Sequence, residues 1–178
     1  IANKSFMFKK FKYFLPLIVF IAVMVSFAKN LSLDKKPISN VIGKKADLST
    51  LVSINDPSQQ LNFKRNEPII IHFFSSWCST CHLDHEKILK IKQRHKLKVV
   101  GVLWQDDLDR IKQWQVKNPN IYDSIAFDPS DRIIVQLGVV GIPETFIISK
   151  DKTILFNEKG ELSQEELLNA LHIELAKQ

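Results

Sequence analysis

Residues 69–85 read IIIHFFSSWCSTCHLDH. The first six, Ile69 to Phe74, are apolar except for His72 and rich in β-branched and aromatic side chains. A short run of that kind, with no polar alternation, predicts a strand buried on both faces. Ser75, Ser76 and Trp77 lead into Cys78-Ser79-Thr80-Cys81, and the residues beyond keep helix-forming character for about four turns. Cys81, Asp84, Ile88, Ile91 and His95 step by three or four, which places them on one helix face. The cysteine pair therefore falls where a central strand feeds a helix. Cys78, with its side chain exposed at the helix N-terminus, would meet unpaired backbone N–H groups and the positive end of the helix dipole. Such surroundings bring a thiol below its free pKa of ~8.5 and favour the thiolate. The reading is a redox-active dithiol.

Working outward, 178 residues suffice for one domain and a tail. The five glycines are too few for a Gly-rich phosphate loop. The formal charge is +6, but Lys4, Lys9, Lys10 and Lys12 lie in the first 28 residues with no acid among them. The basic excess thus belongs mainly to one flank, and no nucleic-acid surface follows from it. The two cysteines are the whole cysteine content. They make no disulfide framework, and a loop this short gains little as a staple.

The lysine flank precedes YFLPLIVFIAVMVSFA, residues 13–28, an apolar run without a charge. It is slightly short of the ~20 residues a spanning helix needs, although Tyr13 and lysine stems extend its reach. One reading is an uncleaved signal-anchor over residues 1–28, with its N-terminus in the cytoplasm. The other is a cleaved signal peptide, for which Ser26-Phe27-Ala28 offers small residues at suitable spacing. Both place the rest of the chain outside the cytoplasm. Residues 29–40 read as a linker, and residues 41–178 as one domain opening with an N-terminal β-hairpin about the Asn55-Asp56-Pro57-Ser58 turn.

After the cysteine helix, Val99 to Trp104 predicts a second buried strand, and Asp106-Asp107 a helix start that Asn118-Pro119 ends. Ile125–Phe127 is a short strand, and Asp128 to Asp131 caps a helix that Gly138 stops. Thr145–Ile148 and Thr153–Phe156 are strands about a turn at Lys150-Asp151-Lys152, and Ser163 to Glu166 is a capping box for the last helix. The order β-α-β-α-β-α-β-β-α is that of an α/β domain with a central mixed sheet flanked by helices.

Trp77-Cys78-x-x-Cys81 after a buried strand, with Gly141-Ile142-Pro143 some sixty residues on, resembles the thioredoxin superfamily. Cys81-x-x-Asp84-His85, Trp104-Gln105-Asp106-Asp107, Phe127-Asp128 and Gly141-Ile142-Pro143-Glu144-Thr145-Phe146 narrow the likeness. Together they resemble the membrane-anchored thioredoxin-like proteins of cytochrome c maturation, the CcmG/DsbE type. The chain departs from that pattern at Ser79, where proline is common, at Asp84, where glutamate is common, and at His72, where ordinary thioredoxins carry a buried aspartate.

The resemblance implies a thioredoxin-like fold and a protein-disulfide reductase in which Cys78 attacks, Cys81 resolves and Asp84 relays the Cys81 proton, with His72 a second candidate relay. It implies a cis Pro143, with Ile142 offering its backbone to an extended substrate. Trp77 would pack beside the thiolate, and Glu144 would add negative charge at the binding surface. The implied location is the inner membrane, by a single pass, with the domain in the periplasm. The implied partners are apocytochrome c or a maturation thiol protein as substrate, and a membrane thiol–disulfide transporter as reductant. A general membrane-anchored reductase and a non-catalytic apocytochrome-binding module are the alternatives. Neither a cofactor nor a metal is expected. Cys78-Ser-Thr-Cys81-His82 fits a c-type heme attachment pattern, but Met7 and Met24, the only methionines, lie in or before the apolar run. Zinc would need ligands crowded on one helix turn, with no second pair to complete the site.

Overall fold

The structure, a computed structural model, describes residues 4–31, 40–61, 63, 67–95, 97–119 and 121–175. The chain divides into two units, Ile1–Ile38 and Ser39–Gln178.

The described part of the first unit is one helix, α1 (Lys4–Leu31), which contains Pro16 and runs on into the segment expected as linker. Its side chains from Tyr13 to Lys29 are exposed. Among the described residues, no helix is long and apolar enough to cross a membrane. Residues 32–39, most of the expected linker, lie outside the described residues.

The second unit is built on a six-stranded sheet in the order β1-β4-β3-β2-β5-β6. Its strands are β1 (Val52–Ser53), β2 (Ile69–Phe74), β3 (Lys98–Leu103), β4 (Ser124–Phe127), β5 (Glu144–Ile148) and β6 (Ile154–Lys159). The helices are α2 (Ser79–His95), α3 (Leu108–Lys117), α4 (Arg132–Leu137) and α5 (Gln164–Leu175). β2 pairs parallel with β3 and antiparallel with β5, so the sheet is mixed. Every residue of β2 is buried, as an apolar run without alternation requires of a central strand.

Two apolar layers cover the sheet. Ile70 and Phe74 of β2 join Ile88 and Ile91 of α2, Trp114 of α3 and Leu167 and Leu171 of α5. Ile69, Ile71 and Phe73 face the other way, onto Ile133 and Leu137 of α4 and onto Ala46, Leu48 and Leu51. β2 leads directly into α2 through residues 75–78, and β5 begins beside the end of β2, with Glu144 paired to Phe73. The cysteines and Pro143 are thereby brought to the same edge of the sheet.

The N-terminal β-hairpin is present only in minimal form. Val52 bridges Gln60, Ser53 N–H donates to the Gln59 carbonyl at 3.1 Å, and Asp56 Oδ1 accepts from Ser58 N at 3.1 Å in the turn. The two residues of β1 spend their other edge on β4. Within the expected Asp128–Asp131 cap, Asp131 makes no side-chain bond to α4, whereas Asp128 Oδ2 accepts from Ile133 N at 2.7 Å.

Candidate active site

Cys78 and Cys81 are joined by a disulfide across the first turn of α2. Cys81 N–H donates to Cys78 Sγ at 3.2 Å, so Cys78 occupies the position of a helix-capping acceptor. Cys78 is 6% exposed and Cys81 is fully buried, so the expected open exposure of Cys78 is corrected. The loop before it is held down by the segment after β3. Cys78 N donates to the Ser75 carbonyl at 3.2 Å, and Ser75 Oγ donates to the Trp104 carbonyl. Ser76 N donates to Asp106 Oδ2 at 2.5 Å, and Trp77 Nε1 to the Gln105 carbonyl at 3.2 Å. Gln105 adopts a left-handed backbone (φ 49°), which turns its carbonyl toward the tryptophan. Trp77 stays half exposed, a flat apolar surface next to the dithiol.

Asp84 lies one turn beyond Cys81 on the same buried helix face. It is fully buried, and its Oδ1 accepts from Leu162 N at 2.9 Å. Lys87 Nζ stands 3.7 Å away on the same helix. Burial pushes its carboxyl up to about 6, against the lowering pull of the Leu162 amide and of Lys87. A carboxylate poised there can take and return a proton near neutral pH.

His72 is fully buried in β2, with Nδ1 2.9 Å from Thr145 Oγ1 on the adjacent strand. Its ring lies 6.1 Å from that of Tyr122 and 6.0 Å from that of His85. Burial drives its pKa down to about 3, so the ring stays neutral near pH 7. His85 is buried edge-on against Trp114 at 5.1 Å, with a pKa pushed by burial down to about 4.

The Ile142–Pro143 peptide is cis. Ile142 is half-buried, and the Pro143 carbonyl accepts from Gly160 N at 2.9 Å. Glu144 corrects an expectation. It does not present negative charge at the surface but is 1% exposed, with Oε1 accepting from Asn157 Nδ2 at 2.8 Å. Alternation along β5 turns it away from the face on which Thr145 meets His72. Burial raises its pKa above the ordinary glutamate value.

Two contributors were missed at the sequence level, Asp106 as the clamp on Ser76 and the Gly160–Ser163 turn over Asp84. The first had a signal, an acid that is not itself the helix cap in a motif already singled out. The second had none. Among the described residues, no group of three or more His, Cys, Asp or Glu side chains is placed to hold a metal ion.

The redoxin family matches residues 42–171. The thiol:disulfide interchange protein DsbE of Yersinia pestis is 30% identical over 168 residues, 87% of this chain and 89% of the relative. DsbE of Escherichia coli K12 is 28% identical over 158 residues, 84% and 85%. Among solved structures, a DsbE-type thiol:disulfide interchange protein of Chlorobium tepidum superposes with a TM-score of 0.62 at 20% identity, covering 74% of this chain and 98% of the other.

Proposed function

Because the chain belongs to the redoxin family and is a thiol–disulfide oxidoreductase of the DsbE type, we propose that it works as a periplasmic reductant in cytochrome c maturation. The observation that carries the reading is the placement of the only cysteine pair. It caps α2 next to the start of β5 and the cis Ile142–Pro143 peptide, in a chain whose relatives are DsbE proteins.

Cys78, reduced, attacks one sulfur of the Cys-x-x-Cys-His disulfide of apocytochrome c, and the partner's other sulfur leaves as a thiolate. The partner is then tied to Cys78 through a mixed disulfide. Cys81 gives its proton to Asp84 and attacks Cys78 Sγ. The Cys78–Cys81 bond forms, the mixed disulfide breaks, and the partner is released with both cysteines reduced for heme attachment. Asp84, buried with a pKa near neutrality, is suited to that proton. The substrate segment lies along Ile142-Pro143 as an added strand, with Trp77 packing against it. Because the periplasm is oxidising, a membrane thiol–disulfide transporter must restore the dithiol.

α1 anchors the domain to the inner membrane in this reading. Its support is the set of apolar side chains exposed along residues 13–28 with lysines at both ends, whose stems can reach the interface. Resistance of the full chain to alkaline washing of membranes tests the anchor.

Deletion of the gene should abolish c-type cytochromes, with restoration by the full chain and none by Cys78→Ser. Intact cytochromes in the deletion strain would leave a general reductase with other substrates. Full rescue by Cys78→Ser would leave a binding module.

A further inference from the structure

The buried carboxylate of Asp84 is held by a short turn far away in sequence. Leu162 N–H donates to Asp84 Oδ1 at 2.9 Å. The same turn grips a lysine. Lys87 Nζ donates to Glu161 Oε1 at 2.5 Å and to the Leu162 carbonyl at 2.9 Å while standing 3.7 Å from Asp84 Oδ1. The Lys87 side chain is 27% exposed and Asp84 is not exposed at all. One cation is therefore shared between a fully buried carboxylate and a half-exposed one. Gly160, at the start of the turn, donates its N–H to the Pro143 carbonyl at 2.9 Å, so the turn also touches the cis-proline segment.

Tertiary structure puts Lys87 there. A surface lysine on a helix normally extends into water, with an i,i+3 carboxylate only a weak partner. Here two oxygens of the turn fix the ammonium over the helix face that carries Cys81 and Asp84.

We propose that Lys87 is a positioning residue of the dithiol centre: clamped by Glu161 and the Leu162 carbonyl, its ammonium keeps the Asp84 carboxylate in its proton-accepting form, and Glu161 sets how much of that charge Asp84 receives. This rests on the reading of Asp84 as the acceptor of the Cys81 proton. The charged and titratable groups facing Asp84 are Lys87 on α2, Glu158 on β6, Glu161 in the turn and Tyr122 before β4. Lys87 is the only cation among these four. Loss of its charge raises the Asp84 midpoint, and loss of the Glu161 charge lowers it.

The test is the pH dependence of one step in the full chain. Cys78 is loaded with glutathione as a mixed disulfide, and its release by Cys81 is followed from pH 4.5 to 8.5. Lys87→Met should move the rate midpoint alkaline by about one unit, a loss of about tenfold on the acid side. Glu161→Gln should move it acid, and Lys87→Arg should restore the parent profile. A purely structural role would not give shifts of opposite sign. An infrared titration of the Asp84 carboxyl in the oxidised protein reads the same shifts without turnover. Asp84→Asn separates the two levels. If Asp84→Asn abolishes the midpoint while Lys87→Met and Glu161→Gln leave it in place, the role of Lys87 is wrong. If Asp84→Asn itself leaves the profile unchanged, the proton-acceptor reading of Asp84 is wrong.

Discussion

The backbone N–H of Cys81 points at Cys78 Sγ from 3.2 Å, the contact by which a capping side chain satisfies a free amide in the first turn of a helix. The two cysteines are therefore unequal: one is an acceptor at the helix entrance, the other is sealed inside it. Cys81→Ser should accumulate a mixed disulfide through Cys78 with a peptide carrying an oxidised Cys-x-x-Cys-His segment. A non-reducing gel shows it as a band lost on reduction. Cys78→Ser should give no such band; trapping through Cys81 instead would reverse the assigned roles.

Asp106 should matter for the shape of the cysteine loop although it touches neither sulfur. Its carboxylate receives Ser76 N–H at 2.5 Å and Asp107 N–H at 2.8 Å, with Arg110 Nη1 3.6 Å away. Asp106→Ala removes the acceptor from both amides and should lower stability by about 1–3 kcal/mol, measured by denaturant unfolding of the oxidised protein. Trp77 fluorescence should shift as its bond to the Gln105 carbonyl loosens. An unchanged midpoint and spectrum would show that the loop holds itself.

Acid should weaken the fold through His85 and His72. Both have folded-state pKa values lowered by burial, to about 4 and about 3, below the ordinary 6.5. The unfolded chain therefore binds protons that the folded chain refuses, and stability is lost as pH falls from about 6.5 toward those values. Asp84 acts with opposite sign. Its folded value, about 6, lies above the ordinary 3.8, so its contribution is fully present below 3.8 and is lost as pH rises through about 6. His85→Phe should reduce the acid loss by one proton, about 1.4 kcal/mol per pH unit between pH 6 and 4.5. Urea unfolding at both pH values reads the slope; identical slopes in parent and variant would mean that His85 takes up its proton in the folded state.

Gly101, in the middle of β3, is paired with His72. A Cβ placed there would lie 2.7 Å from Phe74 Cε1 and 3.0 Å from two ring carbons of Tyr122. The aromatic layer under α2 closes against bare backbone at this point. Gly101→Ala should cost about 1–3 kcal/mol by overpacking, seen as a lower unfolding midpoint with altered near-ultraviolet dichroism. Parent-like values for both would mean the two rings move aside freely.

What the sequence made legible follows from what is local. The run Ile69–Phe74, apolar but for His72, gave a fully buried strand, and Asp107 was readable as a cap because its acceptor is three positions from Arg110 N. Gly138 ends α4 in a left-handed conformation that favours glycine. Contacts between distant segments were not legible. Asp84 and Leu162 are 78 positions apart, and the turn between them carries no motif. Glu144 looked like surface charge because its partner, Asn157, lies just beyond the expected end of its strand. β6 runs to Lys159, past the expected end at Phe156, with Glu158 buried and bonded to Ser163 N. Cys78 looked exposed because nothing local announces that residues 104–106 bind the loop leading into it.

The most direct test of a reductant role is a redox titration of the Cys78–Cys81 pair in the full chain, equilibrated with glutathione or dithiothreitol buffers. The expected midpoint lies at about −200 mV or below, well under the ~−120 mV of a strongly oxidising periplasmic dithiol. A midpoint near −120 mV would make the pair an acceptor of electrons from its partners and contradict reduction of apocytochrome.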